Sequence, residues 1–268
     1  KDIEMKEYSI GFRMKFDNIE PENIAKSVTI FLARFDRYEI KVTSDIIYSG
    51  KIYQLLKISE KLASGRYSLH LPKDVLYNER SYAETKKLIK MLQQYRSMRP
   101  VHLVTHIPYG EYLKYLNYIL SISEELPKNY ILLLENESVD RCNFKYLRQI
   151  NELCALIHRK KIANVGICLD VGHLLFGACK EKITQKCCLD ELKKMLWIIS
   201  MIKQIHIHDY FCEDHLQLGQ GIINLEEISE FIVENELRVP IIIETTVRKP
   251  ECDGMKQVLL MRQTLGRY

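Results

Sequence analysis

The residues best equipped for chemistry gather in one stretch, 204–221, which reads QIHIHDYFCEDHLQLGQG. The alternation of Ile205 and Ile207 with His206 and His208 is that of a strand, with both imidazoles on one face. Asp209, Glu213, Asp214 and His215 follow at once, and Gly219 and Gly221 close the segment. Other apolar runs end in the same residue types: YSLH at His70, HLVTH at His106, ILLLE at Glu135, ICLDVGH at Asp170 and His173, and IIIE at Glu244. Imidazoles and carboxylates packed this densely make a poor core and a good metal site. Burying unpaired carboxylates costs on the order of several kcal/mol each unless cations or protons neutralise them. No matching set of Lys or Arg stands at the other strand ends, so divalent ions are the expected counter-charge. Mixed imidazole and carboxylate donors suit Zn²⁺ first, with Mn²⁺ or Fe²⁺ behind it, better than Ca²⁺.

Each of these residues needs a short strand to present it. Strands are expected over Tyr8–Lys15, Tyr38–Thr43, Tyr67–Leu71, Val101–Thr105, Tyr130–Leu134, Val165–Leu169, Gln204–His208 and Val239–Ile243. Helical spacing falls between them, over Pro21–Phe35, Lys51–Ala63, Tyr82–Met98, Glu111–Glu124, Phe144–Lys160, Leu189–Met201, Leu225–Glu234 and Asp253–Leu265. Eight strand–helix units argue a closed parallel (β/α)₈ barrel, one domain over 1–268, with sites at the C-terminal strand ends. An open doubly wound sheet is the fallback, but no Gly-rich phosphate loop follows any strand. The polar stretch Gly177–Cys188 (GACKEKITQKCC) reads as an ordinary disordered loop, with a lid or partner surface as alternatives. His102 sits four residues before His106, about 13 Å deeper in the barrel, and is expected as a hydrogen-bonded barrel histidine. His158 falls on a helix and is expected at the surface.

Composition narrows the function. The 268 residues are 47% hydrophobic, enough for a full core, and no linker or low-complexity tract divides them. Thirty-nine basic and 35 acidic residues are spread through the helices, giving a formal charge of +4, too mild to argue for nucleic acid. Eight scattered cysteines without a CxxC read as reduced thiols in a cytoplasmic protein. There is no secretory h-region and no apolar run of membrane-spanning length.

Taken together and in order, HLP (70–72), THIP (105–108), LEN (134–136), LDVGH (169–173), IHIHD (205–209), EDHLQLGQG (213–221) and IIIE (241–244) resemble the xylose isomerase-like barrel superfamily, also called AP endonuclease family 2. The likeness spans essentially the whole chain. Members that isomerise or epimerise sugars hold one metal, which the resemblance assigns here to Glu135, Asp170, His206 and Glu244, with Glu135 and Glu244 shuttling a proton. The endonuclease IV-like branch holds up to three. There the resemblance implies one site of His70, His106 and Glu135. Glu135 would bridge to a second with Asp170, His206 and Glu244, and His173, Glu213 and His215 would form the third. The family usually has Asp where Glu213 stands, and Asp214 is the alternative donor. Ketose epimerases often carry an Arg where this chain has Cys212.

All nine ligand positions being filled favours metal-dependent phosphodiester hydrolysis, with a sugar or sugar-phosphate isomerase or epimerase as the alternative. A non-catalytic, ligand-binding barrel is a third reading. His208 and Asp209 are expected to orient His206 or to touch substrate. The aromatic and the Arg-bearing loop with which DNA-repair relatives open a duplex are missing from HLPKD and TSDIIYSG. A small or medium soluble phosphodiester is therefore expected rather than duplex DNA, a cobamide-type phosphodiester being one candidate. Oligomeric state is not legible.

Overall fold

Eight short strands close on one another in sequence order, all parallel, with β8 pairing back to β1. They are β1 (Ile10–Met14), β2 (Arg37–Lys41), β3 (Tyr67–His70), β4 (Val101–Ile107), β5 (Tyr130–Asn136), β6 (Val165–Asp170), β7 (Ile202–Ile207) and β8 (Ile241–Ile243). This computed structural model describes residues 8–14, 23–72, 78–94, 99, 101–107, 112–137, 144–213, 215–245 and 253–267. The expected start of the first helix at Pro21 and the end of another at Met98 lie outside them.

The helices surround the barrel: α1 (Ile24–Leu32), α2 (Ser44–Tyr48), α3 (Lys51–Ala63), α4 (Glu79–Leu92), α5 (Tyr112–Glu125), α6 (Phe144–Arg159), α7 (Val171–Lys180), α8 (Gln185–Lys193), α9 (Leu196–Met201), α10 (Leu225–Glu234) and α11 (Met255–Leu265). Between strands and helices lies the main core, where Phe12, Tyr38, Ile40, Tyr67, Leu132, Ile205 and Ile243 are among the buried side chains. Each contributes roughly 1.5–3 kcal/mol by leaving water.

The stretch expected as a disordered loop, Gly177–Cys188, is largely helical instead. Asp170 opens α7 by accepting the His173 N–H, and Thr184 opens α8 by accepting the Cys187 N–H at 3.3 Å. Both are side-chain caps that satisfy donors a helix start leaves over. The expected helix Leu189–Met201 is correspondingly two, α8 and α9.

The inside of the barrel is unusual. Barrels of this kind are filled by layers of branched apolar side chains. Here the separate apolar plug is small: Val104, Leu133 and Cys168, with Ile131 against it. The pleat turns polar residues inward elsewhere, and strand register lines them up: Arg13 beside Glu39, Glu39 beside Ser68, His106 beside Glu135, and Asp170 beside His206.

Candidate metal centre

Glu135 is the hub. It is fully buried near the end of β5, and its two oxygens face different partners. Oε2 lies 2.9 Å from His70 Nε2 and 3.2 Å from His106 Nε2. Oε1 lies 2.7 Å from His206 Nδ1, which is also 2.7 Å from Glu244 Oε1. Two overlapping groups result, His70–His106–Glu135 and Glu135–Asp170–His206–Glu244, each offering ligand atoms within 4.8 Å of one another.

Asp170 is held from two directions. Asn136 at the end of β5 donates its amide to the Asp170 carbonyl and accepts the Asp170 N–H, both at 2.8 Å. Asp170 Oδ1 accepts the His173 N–H at 2.7 Å, while Oδ2 accepts no hydrogen bond. The same cap that starts α7 therefore aims one carboxylate oxygen at the site.

A third group joins His173, His208 and His215. The His208 and His215 rings stack with centroids 4.3 Å apart, and His173 meets them edge-on at 5.0 and 5.1 Å. Gly172 makes this possible, since a Cβ there would lie 2.4 Å from His208 Nε2. His215 reaches the group from a left-handed backbone, φ 58°. Glu213 is exposed and joins none of these groups among the described residues, and Asp214 lies outside them. His208 joins His173 and His215, the two histidines that the resemblance groups with Glu213. Asp209 does not point at the mouth: Oδ1 accepts the Tyr210 and Ile223 N–H groups, and Oδ2 those of Gly219 and Gly221.

No matching set of cations was expected among the carboxylates, and one fixed cation does stand there. Arg13 on β1 pairs with Glu244 and donates from Nε to Glu39 Oε1 at 3.0 Å. Glu39, fully buried on β2, also escaped the sequence reading. It accepts from Ser68 Oγ at 3.0 Å and Gln204 Nε2 at 2.8 Å, and faces His206 Nε2 at 3.1 Å. His102 donates to Gln204 Oε1 at 3.0 Å, so it is the hydrogen-bonded barrel histidine the sequence led us to expect. His158 is exposed, its ring against Trp197.

Burial opposes ionisation of Glu135, yet His106, His206 and His70 outweigh it and hold its pKa well below the carboxylate range. Asp170 behaves alike, through His173 and His208. Burial lowers His106 to about 3 and also lowers His70, leaving both neutral. Against burial, Cys168, Glu39 and Glu135 raise His206 well above an ordinary imidazole. Among the described residues, four buried carboxylates thus face one guanidinium and the raised His206, with the neutral imidazoles of His70 and His106 interleaved. That donor set fits divalent ions.

A family model, the xylose isomerase-like TIM barrel, matches residues 14–264. The chain belongs to that family. Its members are enzymes, endonuclease IV and sugar epimerases among them, and commonly bind divalent metals. Endonuclease IV from Thermus thermophilus superposes with a TM-score of 0.68 at 18% identity, covering 97% of this chain and 100% of that one. A D-allulose 3-epimerase from Methylomonas sp. gives 0.67 at 12%, covering 97% and 99%. A D-tagatose 3-epimerase-like protein gives 0.63 at 19%, covering 96% and 97%. At such identities the likeness shows the barrel fold. No curated protein sequence matches the chain. Among the described residues, no helix is long and apolar enough to cross a membrane.

Proposed function

We propose that this family member is a divalent-metal-dependent phosphodiester hydrolase acting on a small or medium soluble phosphodiester. The observation that carries the reading is Glu135, with one oxygen toward His70 and His106 and the other toward His206. A one-ion isomerase site needs only Glu135, Asp170, His206 and Glu244, and leaves the two histidines on Oε2 without a task. His70, His106 and Glu135 would hold one ion and Glu135, Asp170, His206 and Glu244 a second. His173 and His215, completed by His208 or Glu213, would hold a third. Zn²⁺ is the first choice, with Mn²⁺ or Fe²⁺ behind it.

Divalent ions supply a water acidified toward ~7 and positive charge for the phosphoryl oxygens. The chain's own part is to fix the donors. β5 and its Asn136 bridge hold Glu135 and Asp170 rigidly side by side. Arg13 fixes Glu244. Burial of all three carboxylates keeps the surroundings dry, which strengthens charge interactions with a bound anion. A near-balanced surface charge of +4 supports a soluble small substrate over duplex DNA. Buried thiols at Cys154 and Cys168 with exposed ones at Cys179, Cys187 and Cys212 support a cytoplasmic setting. No corrinoid enters the proposal, since none of the structures named above points to one.

The second reading, a sugar or sugar-phosphate epimerase, draws on one observation: Glu135 and Glu244 both reach His206 Nδ1 at 2.7 Å, two carboxylates flanking one ion position. Elemental analysis of the purified chain beside bis-aryl phosphate hydrolysis and ketose epimerisation separates the two. Two or three ions with phosphodiesterase activity are expected, and His70→Ala should remove one ion and that activity. One ion per chain with epimerisation that survives His70→Ala would replace the first reading with the second.

A further inference from the structure

We infer that Glu39 is a positioning residue for His206, accepting the ring's Nε2 proton and thereby committing the Nδ1 lone pair to an ion. The inference rests on the proposed metal centre and concerns a residue outside its ligand set.

A ligating histidine carries one proton, on the nitrogen away from the ion, and an acceptor for that proton sets both tautomer and ring orientation. Nδ1 of His206 faces Glu135 and Glu244 at 2.7 Å each, so Nδ1 is the nitrogen on the ion's side. Nε2 faces two groups, Glu39 Oε2 at 3.1 Å and the Gln204 amide nitrogen at 2.7 Å. An amide nitrogen has no lone pair to offer. The amide is locked that way round, because Gln204 Oε1 accepts from His102 and Gln204 Nε2 donates to Glu39. The second amide N–H could donate to a bare Nε2, but once Nδ1 holds an ion Nε2 carries the ring's proton, and Glu39 is then the acceptor within reach.

Glu39 is itself held on all sides. Ser68 and Gln204 donate to Oε2, and Arg13 donates to Oε1. No exposed atom of this carboxylate is left to wander, so the ring it orients is fixed by β1, β2, β3 and β7 together. Glu39 also lies within ligand distance of His70, His206 and Glu244. The Arg13 guanidinium nevertheless pairs with both Glu39 and Glu244, placing a fixed positive charge where an ion between them would sit. That makes Glu39 a support for a ligand rather than a ligand.

The test uses the full chain, with Zn²⁺ titrated against a chromophoric chelator and the visible spectrum of the Co²⁺-loaded form. Glu39→Gln should bind the same number of ions as wild type. The ion on His206 should be held 10- to 100-fold more weakly, in line with roughly that loss when a ligand's support is removed, and the Co²⁺ bands should shift. Ser68→Ala takes a donor from the same carboxylate without touching His206 and should keep affinity within about threefold. Should Glu39→Gln not fold by far-UV circular dichroism, Glu39→Asp replaces it: the charge stays but withdraws by one methylene, and affinity should still fall. Loss of a whole ion in either variant would make Glu39 a ligand and overturn the inference. So would affinity and Co²⁺ bands identical to wild type. A wild-type chain that binds no ion overturns the metal centre as well, whereas a metal-binding wild type with an unaltered variant overturns Glu39 alone.

Discussion

Asp209 decides whether the loop after β7 is built by the strand end or by substrate. It is buried, and each oxygen takes two backbone N–H groups: Tyr210 at 2.9 and Ile223 at 3.0 Å on one, Gly219 and Gly221 at 2.9 Å on the other. The carboxylate thus pins 219–223 against the end of β7, and 211–218, with His215, are spanned by that pin. Asp209→Asn keeps the shape and one accepting face, but its NH₂ meets two N–H donors on the other. Hydrogen bonds to a charged group are worth roughly 1.5–3 kcal/mol each. Gly219 is exposed and Gly221 only part-buried, so water recovers some of the loss, and about 2–3 kcal/mol remains for Asn. In a chain of this size 1 kcal/mol moves Tm by roughly 2–4 °C, so a fall of about 5–10 °C is expected. Thermal unfolding followed by far-UV circular dichroism reads it directly. Had Asp209 been a substrate contact, as the sequence suggested, Asn would leave Tm alone and raise KM. A Tm within about 1 °C of wild type refutes the structural role.

Three further outcomes are expected. Gly172→Ala puts a Cβ 2.4–2.5 Å from three atoms of the buried, stacked His208 ring, so it should cost about 1–3 kcal/mol in overpacking and one bound ion; unchanged melting and metal content would contradict the packing argument. In the folded chain a thiol reagent should label Cys179, Cys187 and Cys212 and spare Cys154 and Cys168, whose thiols burial pushes up to about 12. Mass spectrometry finding either buried cysteine labelled before unfolding would refute this. The metal-stripped chain should lose stability as pH falls from 6 to 4.5. Burial lowers His102 to about 4 and His106 to about 3, so the unfolded chain, with pKa ~6.5, takes up protons first, at about 1.4 kcal/mol per pH unit per group. His206, raised in the fold, is protonated there and already mostly protonated in the unfolded chain over that range, so it offsets only a small part near pH 6. A urea midpoint that stays level or rises would be the contrary result.

The ends of the strands were legible because chemistry interrupts an apolar run there: ILLL cannot continue into Glu135, nor III into Glu244, without a reason to bury charge. The deeper interior was not. Arg13 in YSIGFRMK and Glu39 in YEIKVT alternate with apolar neighbours, and such alternation ordinarily marks a face turned to water. Closing the barrel turns that face inward. The usable signal was therefore a conflict, polar alternation in strands that a parallel barrel covers on both sides. The 177–188 stretch misled through composition: Lys, Gln and Cys read as loop, while Thr184 supplies the cap that starts α8. Spacing alone could not tell that His208, two residues past His206, stays inside beside His173 and His215, or that Glu213 is exposed.

Arg13 also sets the charge that a substrate would meet. It offsets Glu39, leaving Glu135, Asp170 and Glu244 as the carboxylates of the proposed ligand groups, a formal −3. The His173–His208–His215 group adds none, being imidazole throughout. One divalent ion would leave the centre at −1, two at +1 and three at +3. A phosphodiester carries a negative charge and must be drawn in with an acidified water, so it needs the second ion before the centre attracts it at all. A ketose is neutral and is served by the first ion alone. Ion count and substrate class are then one question, and the His70–His106 pair on Glu135 Oε2 is where it is decided. If those two imidazoles bind, the sign of the centre reverses and an anion is the natural guest.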